Sequence, residues 1–423
     1  MNILVLGSGG REHAIAHQLN KSPLCKQLFV APGNAGTNKI AQNVLISPTD
    51  FEAVKTCAIK NAIDLVIVGP EDPLVNGIKD FFAQDNQLNS ILILAPSKAG
   101  AALEGSKKRA KEFMQQHGIP TAAYQSFDAN QLTEGKAFLA TMSSPYVLKA
   151  DGLAAGKGVL IIDDLTEAQD ALEEMLTQQK FGEASSKVVI EEFMEGIELS
   201  VFVLTDGKNH LTLPTAKDYK RIGEGDTGLN TGGMGAVSPP PFVNEAFLDH
   251  IERDIVVPTI NGLQKEKIDY TGFVFIGLMK MGDKAKVVEY NVRLGDPETE
   301  VVLPRIKTDL VELFVKACKG ELNNIQLEVT HETASTVIAV SGGYPEAYEK
   351  GKEIKGVESA ENSIVFHAGT KEENGKLYSN GGRVLAVTSF GKDHNEALKK
   401  SYQSLSEINF DKMYFRKDIG KDL

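Results

Sequence analysis

Short apolar segments alternate with helical patterns through the first hundred residues, and this alternation restricts the fold more than any other feature of the sequence. The alternating segments are residues 3–6, 11–20, 28–31, 51–61, 65–68 and 91–94. Continuous apolar strands that alternate with helices are typical of a parallel sheet covered on both faces. The N-terminal region is therefore predicted to be α/β, with ligands bound by the loops at the carboxyl ends of its strands, which are residues 7–11, 32–37 and 69–73.

Residues 7–11 form a glycine-rich loop between a predicted strand and a predicted helix. Amides at such a helix N-terminus can bind a phosphate group. The loop differs from the dinucleotide-binding fingerprint, because Glu12 stands where a third glycine is required and no acid follows residues 28–31 to bind a ribose. A tight turn that binds no ligand remains the alternative for this loop.

A second, smaller α/β lobe is predicted after Ser106, a suitable N-cap for a helix over residues 107–117. Further strands indicate an antiparallel sheet and a last, β-rich module that begins near residue 325. The predicted elements beyond the first helix are strands at 146–149, 159–162, 187–190, 272–279, 285–291, 335–340 and 384–388 and a helix at 166–179.

Residues 149–159 combine three glycines with Lys149 and Lys157 between two predicted strands. Glycines let backbone amides approach phosphate oxygens, and a lysine is a point charge suited to phosphate. The glycine spacing and the glycine after Lys157 exclude a Walker loop. A flexible hairpin with solvated lysines is the alternative interpretation.

A predicted strand at residues 285–291 carries polar side chains at alternate positions. Glu289 and Asn291 share one face of the strand, and Arg293 follows on the same side. A carboxylate and an amide oxygen side by side suit Mg²⁺, and the arginine could bind a transferring phosphoryl group. A solvent-facing strand with alternating polar residues is the competing interpretation.

Two further segments have the composition of binding loops. Residues 191–198 can offer backbone groups to an adenine and a carboxylate to a ribose, although an exposed acidic turn is the alternative. Residues 217–221 and 226–235 are too polar and too rich in glycine for a core, and we expect a long substrate-binding loop without secondary structure, with an idle surface loop as the alternative.

Composition excludes several classes of protein. The net charge of −12 argues against a nucleic-acid partner but not against a nucleotide, which needs only a local basic pocket. The three cysteines lie far apart, no apolar run reaches the ~20 residues of a membrane helix, and the eight histidines show no metal-ligand spacing. We expect a cytoplasmic protein that binds neither nucleic acid nor membrane.

Six segments in this order resemble the glycinamide ribonucleotide synthetases of the ATP-grasp superfamily over essentially the whole chain. They are GSGGREHA (7–14), PGNAGT (32–37), GPEDPL (69–74), KADGLAAGKGV (149–159), DTGLNTGGMGA (226–236) and RLGDPETE (293–300). NGGRVL (380–385) and RKDIG (416–420) also fit the last domain of that family.

The resemblance implies a Rossmann-like substrate domain at residues 1–103 and an ATP-grasp domain at 104–121 and 191–325. A lid subdomain at 122–190 and a small β-rich domain at 326–423 would complete the molecule. It also implies a purine-biosynthesis reaction in which ATP, glycine and 5-phosphoribosylamine give glycinamide ribonucleotide, ADP and phosphate through glycyl phosphate. We expect a monomer or a weak homodimer with Mg²⁺ or Mn²⁺.

Site residues carried over by position fall into four groups. The implied catalytic residues are Lys149, Arg293 and Asp296, and the metal ligands are Glu289 and Asn291. The implied ATP-binding residues are Lys107, Lys149, Gly152, Gly156, Lys157, Gly158, Glu191, Glu192, Phe193, Met194 and Glu198. The implied substrate-binding residues are Gly9, Gly10, Arg11, Asn34, Glu71, Asp72, Asp218, Lys220 and Arg293.

The chain departs from the family pattern in the segment that precedes the DTGLNTGGMGA motif. Lys217 and Tyr219 stand where the family usually has glutamine and histidine, and Ile197 replaces a usual acid. No departure removes a metal or phosphate ligand. Another ATP-grasp ligase that uses bicarbonate or formate, a nucleotide-binding oxidoreductase and a non-catalytic binding module are the competing hypotheses.

Overall fold

The apolar runs of the first hundred residues build a parallel sheet. The computed structural model of the chain describes residues 1–153, 158–178 and 180–423. The first elements are β1 (Asn2–Gly7), α1 (Gly10–Leu19), β2 (Gln27–Pro32), β3 (Gln42–Asn43), α2 (Phe51–Lys60), β4 (Leu65–Val68), α3 (Glu71–Val75), α4 (Ile78–Gln84) and β5 (Leu92–Leu94). All neighbours pair in parallel in the order β3-β2-β1-β4-β5.

Both faces of this sheet are buried, as the continuous apolar runs predict. On β1, Leu4 and Leu6 belong to one hydrophobic cluster, while Ile3 and Val5 belong to another. The predicted α/β class is therefore confirmed. One local prediction is wrong, because residues 69–73 are not a simple loop: α3 begins at Glu71, with two acids in its first turn, which favour a helix N-terminus.

The second lobe contains two helices that lead into a four-stranded antiparallel sheet with its own core. Its elements are α5 (Lys98–Gly105), α6 (Lys107–Gln116), β6 (Tyr124–Asp128), α7 (Leu132–Leu139), β7 (Tyr146–Ala150), β8 (Val159–Ile162), α8 (Leu165–Gln178) and β9 (Lys187–Glu191). The strand order is β6-β9-β7-β8, and Leu148, Leu172 and Ile190 lie in the core between sheet and helices. The glycine-rich segment joins β7 to β8.

A larger antiparallel sheet follows. The next elements are β10 (Ile197–Thr205), β11 (His210–Thr212), β12 (Lys217–Asp218), β13 (Arg221–Gly223), β14 (Thr227–Asn230), β15 (Gly235–Ser238), α9 (Glu245–Ile251), α10 (Val257–Lys265), β16 (Gly272–Met281), β17 (Lys284–Asn291), α11 (Thr299–Val302) and α12 (Leu310–Lys319). A π-helical turn, Glu252–Val256, connects α9 to α10. The sheet has the order β11-β10-β16-β17.

The prediction that residues 217–235 lack secondary structure is wrong. β13 and β14 form a hairpin in which Arg221 lies opposite Asn230, and β12 and β15 pair with each other. Every residue of β14 is exposed, so its sequence lacks the apolar alternation by which a half-buried strand is recognised. The hairpin is held by polar contacts that leave no periodic signal.

The last module combines strands with one long helix. Its elements are β18 (Thr333–Val340), β19 (Glu353–Ile354), β20 (Ile364–His367), β21 (Thr370–Glu373), β22 (Lys376–Ser379), β23 (Arg383–Gly391) and α13 (His394–Glu407). Its main sheet has the order β12-β15-β18-β23-β20, so two strands from before residue 326 join the C-terminal strands. The domain bounds given above stay a prediction.

Among the described residues, no helix is both long enough and apolar enough to cross a lipid bilayer.

Candidate active site

A cavity of about 190 Å³ collects charged side chains from α6, β7, β9 and β17. Three lysines, one arginine and four carboxylates line it together with one amide. These residues are Glu71, Glu104, Lys107, Lys111, Lys149, Glu191, Glu289, Asn291 and Arg293. The cavity therefore brings together residues that the sequence analysis assigned to phosphate, metal and substrate binding from distant segments.

The start of α6 is tied to the end of β7. The Ser106 hydroxyl accepts a hydrogen bond from the Arg109 amide at 3.1 Å and lies 3.1 Å from both carboxylate oxygens of Asp151. Asp151 also accepts the Lys108 amide at 2.7 Å. These contacts place Lys107 beside the glycine-rich segment, where its Nζ donates to the Gly152 carbonyl at 3.2 Å.

Two lysines share one oxygen of the buried Glu191 carboxylate. Lys149 Nζ lies 2.9 Å and Lys111 Nζ 3.0 Å from Glu191 Oε2, while Oε1 has no hydrogen-bond partner within the described chain. Lys111 also donates to the Thr121 hydroxyl at 2.7 Å. Burial lowers the pKa of Lys111 to about 8 and also lowers the pKa of Lys107.

Glu289 and Asn291 both line the cavity from the end of β17. Gly277 pairs with Glu289 and Leu278 with Val287, so Val288 is an extra residue at a β-bulge. The Val288 carbonyl is 3.5 Å from Lys149 Nζ. The two side chains supply hard oxygen donors beside three lysines, and this donor set fits a divalent cation that also contacts phosphate oxygens. Within the described residues, no group of three or more His, Cys, Asp or Glu is arranged to hold a metal.

Arg293 connects the cavity to the N-terminal part of the chain. Its Nη2 lies 2.9 Å from Glu104 Oε1, and its Nε lies 3.3 Å from Glu71 Oε2. Glu104 accepts the Val292 amide at 2.8 Å, which fixes the turn after β17. Burial opposes the charge of Glu71, but Arg293 and Arg11 outweigh it and lower the pKa of Glu71.

A second cavity of about 650 Å³ adjoins the first and shares Lys149, Glu191 and Glu289 with it. Its volume lies within the ~300–1,000 Å³ of typical ligand sites. Other predicted nucleotide and substrate residues that line it are Glu192, Phe193, Met194, Glu198, Asp218 and Lys220. All predicted residues of the 191–198 segment thus face one space.

Three charged side chains in the lining of the second cavity form a chain of ion pairs. Lys220 pairs with Glu198 and lies 2.9 Å from Asp218 Oδ1. The charge of Lys220 lowers the pKa of Glu198. Burial disfavours the ammonium of Lys220, yet Asp218 and Glu198 raise its pKa. Glu198 and Lys220 are therefore held in their charged forms.

The N-terminal glycine loop uses its polar groups internally. The Gly9 amide donates to Glu12 Oε2 at 2.6 Å, and Arg11 Nε pairs with Glu12 Oε1 at 2.7 Å. Gly10 opens α1 beside Glu300. Asn34 Oδ1 accepts two amides of its own turn, and its Nδ2 donates to the carbonyls of Ser8 and His367.

The structure separates some predicted substrate residues from the two cavities. Of the described residues, Gly9, Gly10, Arg11, Asn34 and Asp72 line neither cavity. Asp296 lies near the N-terminal loop and pairs with Arg383 of β23 through Oδ1 and Nη2 at 3.0 Å, and a Cβ on Gly9 would lie 3.3 Å from Asp296 Oδ2.

The glycine-rich segment is described only at its two ends. Gly158 lines the first cavity, and the Gly152 carbonyl accepts Lys107. The predicted phosphate-binding residues Gly156 and Lys157 lie outside the described residues.

Sequence reasoning missed Lys111 and Glu104, which both line the first cavity. Lys111 lies four residues after Lys107 on α6, so the two share one helix face. That spacing was a usable signal, although adjacent Lys108 and Arg109 obscured it. Glu104 offered none, since only the tertiary contact with Arg293 reveals its position.

Family comparisons cover nearly all of the chain. The descriptions that match are the phosphoribosylglycinamide synthetase N domain over residues 1–104, its ATP-grasp (A) domain over 105–299 and its C domain over 334–422. The chain belongs to the phosphoribosylglycinamide synthetase family. The resemblance found in the sequence and the prediction of an ATP-grasp ligase are thereby confirmed.

Two phosphoribosylamine–glycine ligases are similar to the chain over nearly their full length. The chain is 46% identical to the phosphoribosylamine–glycine ligase of Pasteurella multocida, with 99% of this chain and 97% of the relative covered. It is 44% identical to the ligase of the same name from Caldanaerobacter subterraneus, with 99% of each covered. It is also 46% identical to a bifunctional purine biosynthetic protein of Pichia angusta, but spans only 53% of that protein.

Solved structures support the same fold for the synthetase. The crystal structure of phosphoribosylamine–glycine ligase from Thermotoga maritima superposes with a TM-score of 0.86 at 35% identity, covering 99% of this chain and 100% of that one. A biotin carboxylase domain from Hydrogenobacter thermophilus, solved with MgADP and bicarbonate, has a TM-score of 0.70 at 16% identity, covering 98% of this chain and 91% of that one. The second likeness concerns the fold alone.

Proposed function

We propose that this synthetase ligates glycine to 5-phosphoribosylamine and converts ATP to ADP and phosphate, giving glycinamide ribonucleotide for purine biosynthesis. One observation carries the proposal: an oxygen pair on β17, two buried lysines on one carboxylate and an arginine meet in a single cavity. That arrangement is suited to positioning phosphates and neutralising their charge, which phosphoryl transfer chiefly requires.

Each of the two cavities would hold one part of ATP. The larger one, lined by Glu192, Phe193, Met194 and Glu198, has the size and the apolar and acidic lining to hold adenosine. The smaller one would hold the triphosphate, with Lys107 and Lys149 on its oxygens. Glu289 and Asn291 would bind Mg²⁺ or Mn²⁺, and such an ion neutralises phosphate charge.

In the proposed mechanism the glycine carboxylate attacks the γ-phosphorus and forms glycyl phosphate, with ADP as leaving group. Arg293 faces the transferring phosphoryl group, and its pairing with Glu71 and Glu104 fixes the guanidinium before substrate arrives. The amine of phosphoribosylamine then attacks the acyl carbon and displaces phosphate. The lid subdomain predicted at residues 122–190 would shield the acyl phosphate from water.

We assign substrate-binding roles to two groups of residues, one in the second cavity and one around the N-terminal glycine loop. Asp218 and Lys220 face the second cavity and can contact a small zwitterion. Residues 9–11, Asn34, Glu71, Asp72 and Asp296 would surround phosphoribosylamine, with Asn34 acting through the turn that it holds. We further propose cytoplasmic location and a monomer or weak homodimer.

The test is phosphate release by the purified chain with Mg-ATP. Release should require both glycine and phosphoribosylamine. Release with bicarbonate or formate in place of glycine would contradict the proposal and favour another ATP-grasp ligase.

The metal assignment is tested in the same assay. Glu289→Gln keeps the size of the side chain but removes the charge, and we expect turnover to fall by about 100-fold or more while the thermal midpoint changes little, because the loss concerns charge neutralisation in the transition state. Lys284→Met, at the exposed start of the same strand, is the control. Unchanged turnover in Glu289→Gln would remove Glu289 from the metal site.

A further inference from the structure

A segment near the C-terminus, residues 414–422, packs along the β13–β14 hairpin and strand β12. The Tyr414 hydroxyl donates to the Ile222 carbonyl at 3.0 Å, and the Gly225 amide donates to Asp418 Oδ2 at 2.7 Å. These contacts join parts of the chain that are about 190 residues apart in sequence. The hairpin is thus held by the 414–422 segment as well as by its own strand pairing.

Arg416 forms the first attachment of this segment. Its side chain is almost fully buried, and its Nη1 lies 2.6 Å from Asp226 Oδ1 and 3.1 Å from the Arg221 carbonyl. Two further bonds, at 2.8 and 2.7 Å, join Nε and Nη2 to the carboxylate of Asp418. A guanidinium that bridges two carboxylates in this way has little freedom to move.

Asp422 forms the second attachment, on strand β12. Its Oδ2 lies 2.9 Å from Lys217 Nζ, and its Oδ1 accepts the Tyr219 hydroxyl at 2.6 Å. Lys217 Nζ also lies 3.7 Å from the centroid of the Tyr219 ring, within the range of a cation–π contact. Lys217 and Tyr219 are two of the positions at which the sequence departs from its family pattern, and here they share one partner.

The two neighbours of Tyr219, Asp218 and Lys220, line the second cavity, as do Lys217 and Tyr219 themselves. Asp218 and Lys220 each adjoin, along the chain, a residue that Asp422 contacts. Asp218 and Lys220 contact each other, and Lys220 pairs with Glu198. A displacement of Lys217 and Tyr219 would therefore be transmitted through the backbone to the ion-pair chain of Asp218, Lys220 and Glu198 that lines the second cavity.

We propose that Asp422 is a positioning residue for substrate: through Lys217 and Tyr219 it fixes strand β12 and so holds Asp218 and Lys220 in the second cavity. The inference rests on the proposed function for the identity of the substrates. Asp422 itself also lines the second cavity, but the proposed role is exerted through Lys217 and Tyr219 and involves no contact with the reacting atoms.

Removal of the Asp422 charge isolates this role. The carboxylate of Asp422 is half exposed, whereas the side chains of Lys217 and Tyr219 are buried. Asp422→Asn therefore leaves the core intact but takes the counter-charge from a buried ammonium. Lys217→Met removes the other half of the pair. Asp411→Asn is the matched control, because Asp411 pairs with Lys352 at 3.1 Å on an exposed surface of the same module.

Steady-state kinetics and hydrogen exchange of the full chain test the proposal. We expect Asp422→Asn to raise the KM of glycine or phosphoribosylamine at least fivefold, with kcat changed less than twofold and Asp411→Asn unchanged. The double variant Lys217→Met/Asp422→Asn should lose less than the product of the single effects, because both changes break one contact. Amides of residues 217–231 should exchange faster in Asp422→Asn than in the wild type, and Asp411→Asn should leave their exchange unchanged.

Contrary outcomes are distinct for the two proposals. Unchanged KM values for both substrates in Asp422→Asn, or multiplying effects in the double variant, overturn the positioning role while the proposed function stands. A raised KM with wild-type exchange at residues 217–231 overturns it too, because Asp422 lines the cavity and would then contact the ligand directly. A wild-type chain that releases no phosphate with glycine and phosphoribosylamine contradicts the proposed function instead. Hydrogen exchange then decides on Asp422: protection of residues 217–231 equal to the wild type overturns the positioning role, and faster exchange supports it.

Discussion

Two acids beside the second cavity have pKa values shifted in opposite directions. Glu298 is almost fully buried, and its Oε1 accepts the Ser200 hydroxyl at 2.9 Å. Burial, followed by the nearby charge of Asp218, raises the pKa of Glu298 to about 7. Glu198 keeps its charge instead, because Lys220 lowers its pKa. Single residues here differ in protonation according to whether a cation is in contact.

Replacement of Glu298 should change how stability depends on pH. The pKa of Glu298 rises from 4.5 to about 7 on folding, so the folded chain holds this proton more tightly than the unfolded chain. The resulting stabilisation is complete below pH 4.5 and is lost as the pH rises through about 7, a loss of roughly 3 kcal/mol. Glu298→Gln cannot titrate, so the free energy of unfolding of the wild type, measured relative to this variant by urea denaturation, should fall across that interval. Parallel pH profiles would contradict the raised pKa.

Residues with a sequence signal of their own were predicted more reliably than residues defined by contacts. Glu289, Asn291 and Lys149 stand out in strand and glycine-loop patterns, and the structure brings them to one cavity. Glu104 lies at the end of an ordinary helix, and only its distance to Arg293 gives it a role. The site was therefore predictable where chemistry follows from local pattern, and not where it depends on distant packing.

Helix α6 shows how an element boundary serves the site. Ser106 caps the helix and also contacts Asp151, which follows β7. One hydroxyl thus sets both the first turn of α6 and its position against the glycine-rich segment. Lys107, in that first turn, takes its location from this junction.

Loss of this cap should impair both stability and nucleotide binding. Ser106→Ala removes the acceptor of the Arg109 amide and should cost about 1 kcal/mol of unfolding free energy. Because the same change releases Asp151, we expect the KM of ATP to rise several-fold with a smaller effect on kcat. Asp393→Ala, which removes the cap of α13, should cost similar stability and leave the KM of ATP unchanged. Equal kinetic effects in both variants would show that lowered stability alone is responsible.

At the level of elements, apolar periodicity was the signal that succeeded. The strand at residues 65–68 and the strand at 159–162 agree with β4 and β8 at both ends, and the helix after Ser106 ends one residue earlier than predicted. The β13–β14 hairpin was missed because its residues are polar and exposed. Its stability comes from Arg416 and Asp418, which lie almost 200 residues away and leave no trace in the local sequence.

Across the whole molecule, charged side chains join three regions at Asp296. Its carboxylate pairs with Arg383 of the C-terminal sheet. Its negative charge also raises the pKa of Arg11, in the first turn of α1. Arg383 also donates to the carbonyls of Asp296, at 2.9 Å, and of Gly232. Arg11 in turn donates to the Leu294 carbonyl at 3.2 Å. The turn after β17 is therefore bonded to both ends of the chain.

Removal of Arg383 should loosen the C-terminal module from the rest. Arg383→Met leaves Asp296 without its counter-ion and two carbonyls without a donor, and we expect a loss of roughly 2–4 kcal/mol in unfolding free energy. Because these bonds link regions, the calorimetric enthalpy should also exceed the van't Hoff enthalpy, as separate unfolding of modules requires. Lys352→Met, which breaks exposed pairs within one module, should cost less than about 1 kcal/mol. It should leave the ratio of the calorimetric to the van't Hoff enthalpy unchanged. A single cooperative transition in Arg383→Met would contradict the linking role of Arg383. It would mean that the apolar contacts between the regions suffice to couple their unfolding.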